Sequence, residues 1–331
     1  MLHALGAEVT GYAQKPPTDP SLFEIANVRS IAKTVFADIR DLRTLKKSLL
    51  SASPEIVIHM AAQALVRESY ARPLETYSTN VLGAANILET VRDCQRIRAV
   101  INVTTDKCYE NKEWIWSYRE NDPLGGFDPY SSSKACSEMV TAAYRNSFFN
   151  PEAYKLHKVA LATARAGNVI GGGDWARDRL IPDCIRSAMK KEKIIIRNPK
   201  AVRPWQHVLE PLTGYLMLAE KLCKKGPLFG EAWNFGPNHE DMKPVAWIAK
   251  KISHQFGGSL AFPKNPKMKR LHEASTLRLD SAKARQVLGW HPRWSLETAV
   301  DRTITWYRAY MDGRNMRKIC DQQIEEYLAN E

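Results

Sequence analysis

Tyr130-Ser131-Ser132-Ser133-Lys134 sets a phenol and an ammonium one helical turn apart, on one face of any helix that contains them. An ammonium beside a phenol favours the phenolate, bringing the tyrosine toward the working range of a general base. With 12 Tyr in the chain, about one such pair is expected by chance, and Tyr154/Lys158 is a second. That second pair straddles a loop-to-strand junction and reads as incidental. Thr104-Thr105-Asp106-Lys107 ends a short apolar segment, with Thr105 lying 25 positions before Tyr130. Polar residues at the carboxyl end of a strand in an open α/β sheet can face a bound ligand. There Thr105 offers a hydroxyl, Asp106 an acid, and Lys107 a cation or a base. Alone, the segment also reads as a polar turn capped by Asp106; the Tyr/Lys helix next in order favours catalysis.

The elements that must hold these groups alternate. Ala7–Tyr12, Thr34–Ala37, Ile56–Met60, Ala99–Val103 and Val159–Ala166 are short, apolar and bounded by turn residues, which predicts strands. Leu42–Leu50, Leu74–Asp93 and Tyr130–Phe149 carry helical spacing between them. Strict alternation predicts an α/β fold, a doubly wound parallel sheet covered on both faces. After Gly171-Gly172-Gly173 the elements shorten and prolines punctuate them. Helices are expected at Leu180–Met189, Pro211–Lys221, Val245–Gln255, Ser281–Leu288 and Leu296–Met311. We therefore expect a dinucleotide-binding domain over 1–170 and a substrate lobe over 171–331 that returns strands to the first domain.

A dinucleotide-binding sheet ordinarily opens with a strand running into a glycine-rich loop that cradles the pyrophosphate. Here Met1–Leu5 reads as the end of the first helix and Ala7–Tyr12 as the second strand. The expectation is a chain lacking about 25 to 30 N-terminal residues, the length of one strand, a loop and most of a helix. Apolar edges at Ala7–Tyr12 and Ile56–Met60 and weak cofactor binding would follow.

Composition narrows the partners. The 331 residues carry 48 Lys+Arg against 36 Asp+Glu, a net +12, with a pI near 9.4. The basic residues are scattered, the tightest group being Lys264–Arg270, and no nucleic-acid motif accompanies them. They read as a solvated surface or as attraction for a phosphorylated small molecule. No run of about 18 apolar residues suggests a membrane span, and no secretion signal is visible. Six cysteines without a Cys-x-x-Cys pair read as reduced thiols of a cytoplasmic protein, with no metal site.

The order strand, Thr-Thr-Asp-Lys, then Tyr-x-x-x-Lys resembles the extended short-chain dehydrogenase/reductase superfamily, specifically its nucleotide-sugar 4,6-dehydratases. Gly11-Tyr12 with Pro16–Pro20, Met60–Gln63, Val103–Asn111 (VTTDKCYEN), Tyr118–Tyr130 (YRENDPLGGFDPY), Ala164–Trp175 (ARAGNVIGGGDW) and Arg203–Val208 (RPWQHV) point to the CDP-glucose branch. The resemblance runs from Leu5 to Tyr310 and implies a Rossmann-like sheet, bound NAD and a homodimer. It implies that Asp38 and Ile39 contact the adenine, that Ala61, Ala62 and Gln63 line the ribose and pyrophosphate with Asn80 nearby, and that Tyr130 and Lys134 flank the nicotinamide ribose. On the substrate side it implies Asn168 toward the sugar, Arg179 and Leu180 toward the nucleotide, Arg203 on the diphosphate, and His207 and His272 as further contacts. The implied reaction takes CDP-glucose to CDP-4-keto-6-deoxyglucose in deoxysugar biosynthesis, such as that of lipopolysaccharide O-antigen. Most such dehydratases carry Thr-Asp-Glu; here Lys107 stands at the third position, and burial or the charge of Lys134 must lower its pKa for it to act as base. No acidic residue directly follows Ala7–Tyr12 to accept a ribose 2′-hydroxyl, so NAD over NADP rests on the resemblance. A nucleotide-sugar 4-epimerase or decarboxylase shares Tyr130/Lys134 but does not need Asp106-Lys107. A basic binding protein without catalysis is the alternative of a different class.

Overall fold

The structure, a computed structural model, describes residues 1–256, 259–261 and 274–329. Its strands are β1 Thr10–Ala13, β2 Lys33–Phe36, β3 Ile56–His59, β4 Ala99–Val103, β5 Ala160–Ala166, β6 Asn168–Ile170, β7 Ile194–Ile195, β8 Val202–His207, β9 Ala232–Phe235, β10 Met242–Pro244 and β11 Leu260–Ala261. Its α-helices are α1 Leu22–Ile25, α2 Leu42–Ala52, α3 Val66–Ala71, α4 Pro73–Tyr77, α5 Gly83–Arg92, α6 Pro129–Ser147, α7 Tyr154–His157, α8 Leu180–Met189, α9 Leu209–Lys225, α10 Val245–Phe256, α11 Leu296–Met311 and α12 Met316–Ala329.

The central sheet is parallel, in the order β3-β4-β5-β9. β5 (ALATARA) is buried along its whole length. Its run of alanines lets helices approach closely from both faces, and α6 and α9 both pack on it. β9, from the C-terminal half, pairs with β5 and so returns to this sheet. β1 and β2 form a separate parallel pair. Neither of those two strands contains a fully buried residue. The sheet is thus split between β1 and β3. Met1–Leu5 ends in a short 3-10 turn, His3–Leu5, closed by Gly6 in the left-handed conformation.

A second, three-stranded sheet, β10-β8-β6, builds the C-terminal lobe. Its core gathers Trp205, Trp306, Tyr307, Ile185, Ile248 and Ile252 from α8, α10, α11 and β8, with Trp175 from the loop before α8. Gly167 joins β5 to β6 beside β8; a Cβ there would lie 2.5 Å from the Pro204 carbonyl, so only glycine lets the two segments approach.

Candidate active site

Helix α6 begins where Asp128 caps it, accepting Ser131 N at 3.0 Å and Ser131 Oγ at 2.6 Å, with Pro129 at the first helical position. Gly126, at φ +139°, lets the preceding loop lie on this first turn, where a Cβ would come within 2.3 Å of Ser132 N. The helix therefore presents Tyr130 and Lys134, both buried, to the carboxyl end of β4. Lys134 Nζ donates to the Val103 carbonyl at 3.0 Å.

Past β4, Thr105 caps a 3-10 turn, Asp106–Cys108. Thr105 Oγ1 donates to Asp106 Oδ1 at 3.0 Å and Lys107 Nζ to the same oxygen at 3.1 Å. Lys107 Nζ also reaches Asn168 Oδ1 at 3.5 Å, which ties the start of β6 to the turn. Asp106 is 0% exposed. Its Oδ2 is a buried oxygen without a hydrogen-bond partner among the described residues. Burial pushes the Tyr130 phenol up to about 12, although a hydrogen bond with Thr105 and the charge of Arg179 pull the other way. Burial takes the Lys134 ammonium down to about 8, opposed by the charge of Glu138. The expected lowering of Tyr130 by Lys134 is not what dominates here. The ammonium is spent on a backbone carbonyl, and desolvation of the phenol is the larger effect.

A second cluster forms after β3. The stretch expected as one helix, Leu74–Asp93, is broken by a π turn at Ser78–Leu82. That turn aims Asn80 at the loop: its Oδ1 accepts Gln63 N at 2.8 Å, and its Nδ2 donates to Gln63 O at 3.0 Å and to Ser133 Oγ at 2.8 Å. Gln63 Nε2 donates to Thr76 Oγ1 at 2.9 Å. Ala61, Ala62 and Gln63 are thereby held against the first turns of α6. On the other side of the split, the Asp38 carboxylate accepts Gln14 Nε2 at 2.7 Å. Hydrogen bonds from Arg40 hold it down to about 2.

The structure separates other residues from this group. The Ile39 side chain packs into the core on Gly83, so it offers no side-chain face for an adenine. The Leu180 side chain packs against the core of the C-terminal lobe. Arg203 turns its guanidinium onto the carbonyls of Val202, Ser275 and Ala274. His207 is buried against Trp294, its Nδ1 accepting from Leu209 N at 3.3 Å. Ile39, Leu180 and His207 thus pack on apolar neighbours, where an apolar side chain or a ring lying against an indole is favoured. Arg179 pairs with Asp174 at 3.0 Å and stays half-exposed. His272 and the Lys264–Arg270 group lie outside the described residues. Tyr154 opens the single turn of α7 and Lys158 follows it in the left-handed conformation.

The sequence profile of the family described as GDP-mannose 4,6 dehydratase matches residues 6–303. A curated relative, the CDP-glucose 4,6-dehydratase of Salmonella typhimurium, is 51% identical over 328 residues, 99% of this chain and 91% of that protein. The chain belongs to this dehydratase family. Its fold is the Rossmann-like one of extended short-chain dehydrogenases. The dTDP-glucose 4,6-dehydratase DesIV from Streptomyces venezuelae, solved with NAD bound, superposes with a TM-score of 0.77 at 23% identity, covering 93% of this chain and 89% of that one. A UDP-glucose 4-epimerase from Thermotoga maritima gives 0.78 at 21% identity, covering 94% of each.

Two residues packed behind these groups escaped the reading of motifs. Glu138 follows Lys134 by one more helical turn, and Arg165 is a charge near the end of the wholly buried β5. They pair at 2.8 Å with each side chain 4% exposed. A lone Arg within an alanine-rich strand was the available signal, since a buried guanidinium demands a partner.

Proposed function

We propose that the chain is an NAD-dependent nucleotide-sugar 4,6-dehydratase that converts CDP-glucose to CDP-4-keto-6-deoxyglucose. The carrying observation is the Thr105-Asp106-Lys107 turn gathered with Asn168, Tyr130 and Lys134 at one strand edge. The 51% identity to a CDP-glucose 4,6-dehydratase supports that substrate.

The donor set fits the nicotinamide half of the cofactor. Lys134 commits one of its three N–H groups to Val103, leaving two that, with the Tyr130 phenol, match the vicinal diol of a ribose. Asp38, already paired with Arg40 and bonded by Gln14, stands at the adenosine half, and NAD as the cofactor is supported by the family. Ala61, Ala62, Gln63 and Asn80 lie between. Bound NAD supplies the hydride acceptor for C4 and the hydride donor for C6.

The chain's own groups move the protons. Tyr130 acts as its phenolate, the form that the charge of Arg179 and of oxidised NAD, when bound, would favour against burial; it takes the proton of the C4 hydroxyl while Thr105 hydrogen-bonds the oxygen as it becomes a ketone. Proton transfer across the 3.1 Å Lys107–Asp106 hydrogen bond turns the ion pair into an amine and a carboxylic acid. Exclusion of water by bound substrate favours this neutral form. Lys107 then removes the proton at C5, acidified by the C4 ketone, as Asp106 protonates the departing C6 hydroxyl. Elimination restores the ion pair, and Lys107 returns its proton to C5. The proton held by Tyr130 replaces, through solvent, the one Asp106 gave to water. On the substrate side, Asn168 orients the sugar and Arg179 meets the diphosphate; Arg203 joins it only by leaving its backbone carbonyls.

In this reading residues 1–170 hold the cofactor and 171–331 the sugar nucleotide, in the cytoplasm, consistent with six free cysteines. No helix among the described residues is long and apolar enough to cross a membrane. A second copy covers the exposed Leu74, Tyr77, Leu82 and Met139 on adjoining α4, the π turn and α6; Leu82→Asp should yield monomers in light scattering. The deciding assay incubates the chain with CDP-glucose and NAD and measures the alkaline near-ultraviolet absorbance of 4-keto-6-deoxy sugars. CDP-galactose as sole product would instead identify an epimerase, and no product would refute both.

A further inference from the structure

Helix α6 meets the end of β4 rung by rung. Asn102 Nδ2 donates to Ser137 Oγ at 2.9 Å and Thr141 Oγ1 at 2.7 Å. The Val103 carbonyl accepts from Lys134. Thr104 Oγ1 donates to Glu138 Oε1. The Glu138 carboxylate is itself immobilised: it accepts Thr163 Oγ1 at 2.7 Å, Arg165 Nε at 2.9 Å and a terminal Arg165 nitrogen at 2.8 Å. Arg165 is held in turn by the Tyr109 hydroxyl at 2.8 Å and the Glu120 carbonyl at 3.0 Å. A carboxylate gripped by a planar fork and two hydroxyls cannot rotate, so it gives Thr104 a fixed docking point.

We propose that Glu138, fixed by Arg165, is a positioning residue for the dehydratase. Acting through Thr104, it sets the placement of Thr105, Asp106 and Lys107 against Tyr130 and Lys134. The inference rests on the reading of those five residues as the reacting groups. Thr104 is the peptide neighbour of Thr105, and its N–H is pinned to the Ala164 carbonyl at 2.8 Å. Releasing its hydroxyl frees the strand end at the point where the catalytic turn begins. Misplacement of about 1 Å at a reacting group costs on the order of a hundredfold in rate.

Thr163 provides an internal control. It donates one hydroxyl to the same buried carboxylate but belongs to the interior of β5. Thr104→Val and Thr163→Val each delete one hydrogen bond to Glu138, so both should lower the melting temperature by about the same few degrees. Only Thr104→Val should also lower kcat for 4-keto-sugar formation, by about tenfold or more with KM within about twofold, and speed amide exchange over 104–108. Thr104→Ser should restore both. If Thr104→Val does not accumulate folded, Thr104→Ala against Thr163→Ala makes the same comparison. Equal kcat losses in the two variants, or unchanged exchange at 104–108 in the Thr104 variant, would overturn the positioning role. A wild-type chain that forms no 4-keto sugar would refute the dehydratase reading instead, and the exchange comparison would still decide whether Glu138 holds the turn.

Discussion

The central sheet and the β1–β2 pair are both parallel, yet they are held in opposite ways. Every residue of β5 is buried, whereas none of β1 or β2 is. The central sheet carries a buried ion pair at 4% exposure on each side; β1–β2 carries Lys33–Glu8 at 73% and 79%. Proton transfer requires groups fixed to fractions of an ångström, and burial with full hydrogen bonding supplies that. In the proposed reading β1–β2 serves only to contact an adenine and a ribose, which tolerates more movement, and a half-exposed pair is sufficient for it.

The largest expected effect lies where that contrast is sharpest. Tyr130→Phe removes the proton acceptor without changing shape, so turnover should fall by about 10² to 10⁴ while CDP-glucose binding, measured by calorimetry, stays within about twofold. Near-normal turnover would move the base elsewhere.

Next comes the ion-pair comparison. Burial raises the cost of ionising Glu138, but the Arg165 hydrogen bonds and charge outweigh it and keep the carboxylate below its ordinary range. Glu138→Gln leaves the Arg165 guanidinium buried and unpaired, a loss of about 3 to 5 kcal/mol in denaturant unfolding. Glu8→Gln, on the exposed pair, should change nothing measurable. Similar effects from the two would erase the contrast.

How much of this was legible in the sequence follows the same division. β4, α8 and α11 fall on the expected residues, because each combines clear periodicity with a polar boundary. The expected strand Ala7–Tyr12 shifts to Thr10–Ala13, since the sparse burial of β1 leaves little pattern to read. α12 was not foreseen: Met316–Ala329 buries only Met316, Gln323 and Tyr327 and is otherwise rich in charges. At the site, the five proposed reacting groups were visible because they cluster in two short stretches. The Glu138–Arg165 pair spans 27 positions, and no local spacing reveals it. His207 reads as polar in a motif, but only the fold shows Trp294 lying against it.

Acid should weaken the buried half first. Burial, with the charge of Lys134, takes His59 down to about 3; burial, with the charge of Arg302, does the same to His207. Both rings stay neutral in the folded state while the unfolded chain takes up protons below about pH 6.5. Their folded pKa values are depressed, so the unfolded state binds more protons between pH 6.5 and 3 and stability falls as pH falls through that window. The loss is roughly 4 kcal/mol per ring by pH 3. His59→Asn and His207→Asn should each flatten the acid limb of unfolding between pH 6.5 and 4. Asp38, held low by Arg40, loses its stabilising effect only as pH falls from the carboxyl's ordinary value of 3.8 toward 2, below the window in which the two variants are compared.

The smallest effect tests whether β1–β2 is as loosely held as its burial implies. Tyr12 packs beside the core of α2 and α5 and donates its hydroxyl to the Asp38 carbonyl at 2.9 Å, tying β1 to the segment after β2. Tyr12→Phe keeps the packing and deletes that bond, for about 1 kcal/mol or less at a partly exposed site. In a region already close to local opening, that increment should appear as faster amide exchange confined to β1, β2 and the Asp38 turn. Exchange in β4 and β5 should not change, because among the described residues no hydrogen-bonded ladder crosses the split. If the mutation instead accelerated exchange in β4 as well, the two sheets would open as one cooperative unit. The rigidity at Thr105 and Tyr130 would then depend on both halves of the sheet, and the contrast between them would be one of exposure rather than of stability.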